Sequence, residues 1–117
     1  MAKVSKKTEG AADEDDLVFK ALAGKDRRLI LDLLRDAPLT TGGIGEHLPH
    51  LDRTTVMQHL RVLENARLVI SKKVGRCRWN YLDVSPIQRI YQRWIASYAM
   101  PGADFLESLR SQLEPAP

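Results

Sequence analysis

A single cysteine, Cys77, leaves no partner for an intrachain disulfide and rules out a multi-cysteine zinc knuckle. No stretch approaches the ~18 consecutive apolar residues that a membrane span needs. Lys3, Lys6 and Lys7 have no apolar segment behind them, so a secretory signal is not expected and the expected compartment is the cytoplasm. Gly42-Gly43-Ile44-Gly45 runs into no Lys-Ser/Thr pair, so it is a weak candidate for a phosphate-cradling loop. No Ser/His/Asp set or carboxylate pair stands near a segment that would form a pocket. Catalysis is therefore not expected, and neither is a cofactor.

Acidic residues are scarce in one place. Between Arg53 and Arg93 there are nine basic residues and only two acids, Glu64 and Asp83, a surplus of seven positive charges. The whole chain of 117 residues carries +3, so the remainder must carry −4. A field so lopsided attracts polyanions. The length allows one domain with one hydrophobic core.

The periodicity predicts a mainly α chain with one small β-hairpin. Residues 1–14 are small and charged and read as a disordered tail. From Asp15, Leu17, Val18, Ala21 and Leu22 fall on one helical face. Gly24 ends that helix, and the next buries Leu29, Ile30, Leu33 and Leu34 until Ala37-Pro38 stops it. Thr40 is placed to cap a short glycine-weakened helix held only by Ile44 and Leu48. Asp52 is placed to cap a stronger one from Arg53 to about Ala66, with Val56, Leu60 and Leu63 inward and Val62 at the edge. Val69–Lys73 and Cys77–Leu82 form two strands around a basic tip at Val74-Gly75-Arg76. Ser85 as cap and Pro86 in the first turn open another helix, whose apolar face is Ile87, Ile90, Tyr91, Trp94, Ile95 and Tyr98. Asp104 caps a last short helix, and the Pro-Ala-Pro end is expected to fray. Two helices around a tight turn followed by a basic hairpin make a winged helix-turn-helix over residues 15–84, with C-terminal helices over 85–114.

The helix at Arg53 carries the functional expectation. Its polar edge offers Arg53, Thr54, Thr55 and Gln58 near the N-terminus, side chains whose donors and acceptors match base edges in a major groove. Thr55 serves equally well as a helix-start residue. Thr40, Thr41, Arg61, Lys72, Lys73, Arg76 and Arg78 are the expected contacts to the backbone of double-stranded DNA, which position a protein without specifying sequence. Trp94, Tyr98, Phe105 and Leu109 are more apolar surface than so small a domain hides easily, and such a surplus often marks association. The other reading is that they close the core of the protomer itself.

Ala21-Leu22-Ala23, Arg27-Arg28-Leu29-Ile30-Leu31, Pro38-Leu39-Thr40, His59-Leu60-Arg61-Val62-Leu63 and Leu68-Val69 together resemble successive blocks of the ArsR/SmtB family of bacterial repressors. The likeness runs in order from about Leu17 to Asp83. It implies a homodimer whose recognition helices enter successive major grooves of a near-palindromic operator. It also implies that the first and C-terminal helices form the interface, which assigns Leu17, Val18, Trp94, Tyr98, Phe105 and Leu109 to it.

The family's metal sites are not carried over. Thr41–Leu48 holds no cysteine and has His47 as its one credible ligand, and Ser85–Tyr98 holds no His, Asp, Glu or Cys. Divalent transition metals need three or four such ligands. His47, His50 and His59 read as surface, cap or packing residues. The resemblance is therefore to metal-independent members, with no effector identified. Three departures stand out: Arg67 where glycine is usual at a helix end, Met57 in place of a small polar residue, and Gly43 in place of an acidic capping partner. Cys77 alternates with Trp79 and Tyr81 on one strand face and is expected to be packed rather than reactive. The rival to DNA binding is a winged helix used only for protein contact, against which the basic stretch argues.

Overall fold

The computed structural model describes residues 6–99 and 102–113, as two compact units that divide between Ile87 and Gln88. In the first unit the elements are α1 (Lys6–Leu22), α2 (Lys25–Asp36), β1 (Leu39–Thr40), α3 (Thr41–His47), α4 (Arg53–Asn65), β2 (Val69–Val74) and β3 (Cys77–Leu82). Helix α5 (Ser85–Ile90) runs into the second unit. There follow a π-helical segment (Tyr91–Ala96), a single turn α6 (Ser97–Ala99) and α7 (Ala103–Leu113).

Helix α1 starts earlier than its apolar pattern, at Lys6, so residues 6–14 are helical and not the tail that composition predicts. Ala11, Ala12 and the glutamates favour helix, and extending an existing helix costs little beside nucleating one. Residues 1–5 and the Pro-Ala-Pro end lie outside the described residues.

The core is built where the helical stripes converge. Val18 and Ala21 of α1, Ile30, Leu31 and Leu34 of α2, Ile44 of α3, and Val56, Leu60 and Leu63 of α4 are all buried. Each of these Val, Leu and Ile side chains contributes about 1.5–3 kcal/mol when fully removed from water. The stripe of α4 is the predicted one, with Val62 half-buried at its edge. In α2 the buried set is rotated, because Leu31 is buried while Leu29 is exposed.

The helix ends are satisfied by side chains. Arg27 Nε and Nη2 donate to the carbonyls of Ala21 and Lys20, and Arg28 Nη1 donates to that of Leu22, so two arginines of α2 cap the C-terminus of α1. A Cβ on Gly24 would stand 2.5 Å from the Arg27 guanidinium carbon and would push the capping arm aside. Thr40 Oγ1 accepts from Gly43 N–H at 3.0 Å, and Asp52 Oδ1 accepts from Thr55 N–H at 2.7 Å, both as expected of N-caps. At α5 the capping acceptor is Asp83, whose Oδ1 takes the N–H of Ser85 at 2.9 Å, and Ser85 itself is the first helical residue.

The sheet has one strand more than the hairpin expected from sequence. Its order is β1-β3-β2, all antiparallel, with Leu39 opposite Asn80 and Val69 through Val74 paired in register with Leu82 through Cys77. A two-residue strand carries no readable periodicity, so only the tertiary pairing reveals β1. The hairpin turns on Gly75 and Arg76, and Gly75 has φ +62°. A positive φ at the first of two turn residues is the position type II′ turns give to glycine.

In the second unit the chain departs from a continuous α-helix at Tyr91–Ala96, where it widens into π geometry. Trp94 and Tyr98 stack with ring centroids 6.2 Å apart and planes within 4°. The Arg93 guanidinium lies 5.3 Å from the Trp94 ring centre. The Ser97 hydroxyl donates back to the Arg93 carbonyl at 2.6 Å.

Candidate nucleic-acid interface

Helix α4 is anchored by its apolar stripe, and that leaves its polar edge outward. Arg53, Thr54, Gln58 and Arg61 are exposed. Thr55 is half-buried and its N–H is bound to Asp52, so the helix-start role foreseen for it is present in the structure. The two bonds from Thr55, backbone first and then hydroxyl, hold the Asp52 carboxyl below its ordinary range.

Beside that edge the wing supplies charge. Lys72, Lys73, Arg76 and Arg78 are all exposed on β2, β3 and the turn between them. Arg53 at the start of α4, Thr40 and Thr41 at the start of α3, and Arg76 and Arg78 of the wing line one open cleft of about 590 Å³. Met57, exposed on α4, contributes to its wall. Five of the residues singled out from sequence thus share a concave surface, while Lys72, Lys73, Thr54, Gln58 and Arg61 stand outside its lining. Thr40 spends one oxygen lone pair on the α3 cap.

Two features of this surface had no counterpart in the sequence reading. The first is Asn80, the one buried polar side chain among the described residues, at 0% exposure in mid-strand. Its Nδ2 donates to the Leu39 carbonyl and to Thr41 Oγ1, each at 3.2 Å, and its Oδ1 lies 2.8 Å from Ser71 Oγ. Asn80 thus ties β3 to β1, β2 and the start of α3. Asparagine is depleted in strands, and its presence amid Arg78-Trp79 and Tyr81-Leu82 is the signal that points to a buried network. The second is Glu64, near the end of α4, which receives both Ser71 Oγ and Arg78 Nη2, the latter at 3.0 Å. Arg78 is therefore ion-paired to α4.

Cys77 is exposed, contrary to the packing role its alternation with Trp79 and Tyr81 predicts. The inner face of β3 is the other one, with Asn80 buried, so the face shared by Cys77 and Tyr81 points to solvent. Val18 is a second correction. It is 0% exposed within the protomer and belongs to the core, whereas its neighbour Leu17 is exposed. Of the other residues assigned to association, Trp94, Tyr98, Phe105 and Leu109 are all exposed, Tyr98 at 73% and Phe105 at 69%.

Each histidine is engaged locally. His47 Nδ1 donates to the Gly43 carbonyl at 2.9 Å, and His59 Nδ1 lies 3.3 Å from Arg27 Nη1. His50 Nε2 pairs with Asp26 Oδ1 at 2.9 Å. That hydrogen bond is the main reason the Asp26 carboxyl lies below its usual range. Among the described residues no three His, Cys, Asp or Glu side chains come together as a metal site requires. Among them, too, no helix is long and apolar enough to cross a membrane.

Residues 24–71 match the family described as bacterial regulatory protein, arsR family. The chain is 36% identical over 86 residues to the uncharacterized HTH-type transcriptional regulator YuzN of Bacillus subtilis (strain 168), an alignment spanning 68% of this chain and 94% of that protein. It is 32% identical over 71 residues to the transcriptional repressor SdpR of the same organism, spanning 61% of this chain and 78% of that one. In fold it is similar to a homodimeric winged helix-turn-helix DNA-binding domain from Mycobacterium bovis, described as a possible ArsR-family regulator and solved by NMR. The TM-score is 0.63 at 23% identity, over 97% of this chain and 94% of the other.

Proposed function

Because the chain belongs to the ArsR family of bacterial transcriptional regulators, with a winged helix-turn-helix DNA-binding domain and not an enzyme's active site, we propose that it is a cytoplasmic, dimeric repressor of a near-palindromic operator. Arg53, Thr54 and Gln58 read base edges in the major groove, with Thr55 at the edge of that set. Thr40, Thr41, Arg61, Lys72, Lys73 and Arg76 hold phosphates, and Arg78 reaches them only in competition with Glu64. The observation that carries this reading is the shared cleft, in which the start of α4, the start of α3 and the wing turn arginines and threonines toward one concavity. A duplex placing its major groove on α4 brings the adjoining backbone toward that concavity, where those side chains can bond it.

Two copies act together in this proposal. Leu17, Trp94, Tyr98, Phe105 and Leu109 leave apolar surface uncovered in the protomer, and uncovered apolar surface of this kind favours association. The Mycobacterium bovis domain, described as homodimeric, and SdpR, described as a repressor, support the assembly and the sign of regulation. The proposed repressor is metal-independent.

Selection of binding sites from random duplex DNA tests the proposal in one experiment. The expected product is an inverted repeat whose half-sites lie about one helical turn apart, ~10–10.5 base pairs, or a multiple of it. Failure to enrich any sequence, together with elution from heparin at low salt, would favour a winged helix used for protein contact and sink the DNA reading.

A further inference from the structure

We propose that Glu64 limits the electrostatic grip of the wing by holding Arg78 away from DNA. The inference rests on the DNA-binding reading and concerns a residue of opposite charge within the same surface. The stretch of nine basic residues contains only two acids. Asp83 caps α5; Glu46 of α3 lines the cleft, and Glu64 is the acid ion-paired to the wing among the described residues. It stands near the end of α4, and both of its partners come from the hairpin: Ser71 of β2 and Arg78 of β3. The single Ser71 hydroxyl proton is shared between Glu64 and Asn80 Oδ1, and Asn80 Nδ2 donates to Thr41. A single chain of polar side chains therefore runs from Arg78 through the recognition helix to the start of α3.

The two ends of that chain are the groups a phosphate would take. Arg78 Nη2 is 3.0 Å from Glu64 Oε1, and the arginine side chain remains 55% exposed while the glutamate is 25% exposed. The pair is thus anchored on its acidic side and open on its basic side. A phosphate entering the cleft must compete with a carboxylate already in place for the same guanidinium. Arg76, at the turn, has no such acid paired with it among the described residues. The wing accordingly presents one held arginine and one available one. Because phosphate contacts are blind to sequence, restraining one of them lowers affinity for all duplexes and leaves base reading untouched. Glu64 in this view sets the general, sequence-independent affinity of the wing.

The test is a set of four full-length proteins, wild type, Glu64→Gln, Arg78→Ala and the double variant, titrated with the selected operator and with random duplex across a salt series. Glutamine keeps an acceptor for Ser71 but cannot hold Arg78 as an ion pair. Releasing one phosphate contact steepens the salt slope by about 0.9 and, at about 0.15 M salt, tightens random-duplex binding about fivefold. The operator-over-random ratio stays level, and the gain disappears in the double variant. Arg76→Ala, run alongside, flattens the slope more than Arg78→Ala does, a comparison that needs no change at Glu64 and so survives any folding defect there. A gain from Glu64→Gln that persists without Arg78 overturns the proposal, because simple removal of negative charge then explains it. So does a Glu64→Gln protein with the slope of wild type. If wild type itself binds no duplex, the DNA-binding reading falls and this inference with it. If wild type binds and Glu64→Gln matches it, only the role of Glu64 is lost.

Discussion

Arg67→Gly should stabilise the protein, even though it removes a charged side chain from a basic surface. Arg67 has φ +62°, the left-handed region, and is the one non-glycine residue with positive φ among the described residues. It terminates α4 in a Schellman arrangement. The N–H of Arg67 bonds the Glu64 carbonyl at 2.9 Å, and the N–H of Leu68 reaches the Leu63 carbonyl at 2.9 Å. Leu63 and Leu68 are both fully buried, so the terminus is fixed by packing as well as by hydrogen bonds, and Arg67 has no freedom to relax. Its side chain is exposed, so glycine forfeits little buried surface. An L-residue in this conformation costs about 1–2 kcal/mol. Glycine recovers that but loses about 0.4–1 kcal/mol through the larger entropy of its unfolded chain. The difference leaves a net gain of about 1 kcal/mol. For a domain of this size that raises Tm by about 4–8 °C. Urea melts should show the same gain as a shift in midpoint at constant slope, at a protomer concentration held equal between variants. Arg67→Ala is the control, since alanine removes the same charge but keeps the strained φ. If Arg67→Gly melts no higher than wild type, or Arg67→Ala gains as much, backbone strain at this position is not what limits stability.

Asn80→Ala should cost about 1–3 kcal/mol, because it takes the Nδ2 donor from the part-buried Leu39 carbonyl and Thr41 hydroxyl, and chemical denaturation reads that loss directly. Asp26, Asp52 and Asp83 all sit below their ordinary carboxylate range. The largest causes are the His50 side chain, the Thr55 backbone N–H and the Ser85 side chain respectively. The folded state therefore binds their protons less readily than the unfolded state does. Their stabilisation is complete above the ordinary Asp value and is lost as pH falls below about 4, so a Tm-against-pH profile should bend downward there. The bend should be shallower in Asp52→Asn. Arg53→Ala or Gln58→Ala should relax base preference at one position per half-site by about 1–3 kcal/mol, measured against single-base operator variants. Phe105→Glu should yield monomers in sedimentation equilibrium and weaken operator binding; an intact dimer would remove α7 from the interface.

The parts of the fold that were legible in the sequence are those where one local signal and the tertiary context agree. Val56, Leu60 and Leu63 repeat at helical spacing, and Asp52 stands one residue before Arg53, so α4 and its cap can be written down from residue types alone. The hairpin is legible because Gly75 separates two β-branched or aromatic runs. Where a signal depends on a distant partner it is lost. Strand β1 exists only because Leu39 and Thr40 meet Asn80 and Trp79, some forty residues later in the chain. The start of α1 is not legible for a related reason: hydrophobic periodicity marks what a helix buries, and residues 6–14 extend the helix beyond that face. The π segment at Tyr91–Ala96 replaces the continuous helix read from the apolar pattern of Ser85–Tyr98.

The candidate interface divides in the same way. Charge and helical face are properties of residue type and spacing, so Arg53, Gln58, Lys73 and Arg76 stand out in the sequence alone. Pairing is a property of two residues, and it decides which nominated charges are available. Arg76 and Arg78 are indistinguishable in the sequence, two arginines flanking Cys77 at the wing. The fold separates them by directing Arg78 toward Glu64, fourteen residues earlier, while Arg76 stands at the turn. Counting seven surplus charges along residues 53–93 consequently overstates what a phosphate backbone meets. The number of ions displaced on binding should fall short of a tally of basic residues in the cleft by at least the one that Glu64 already neutralises.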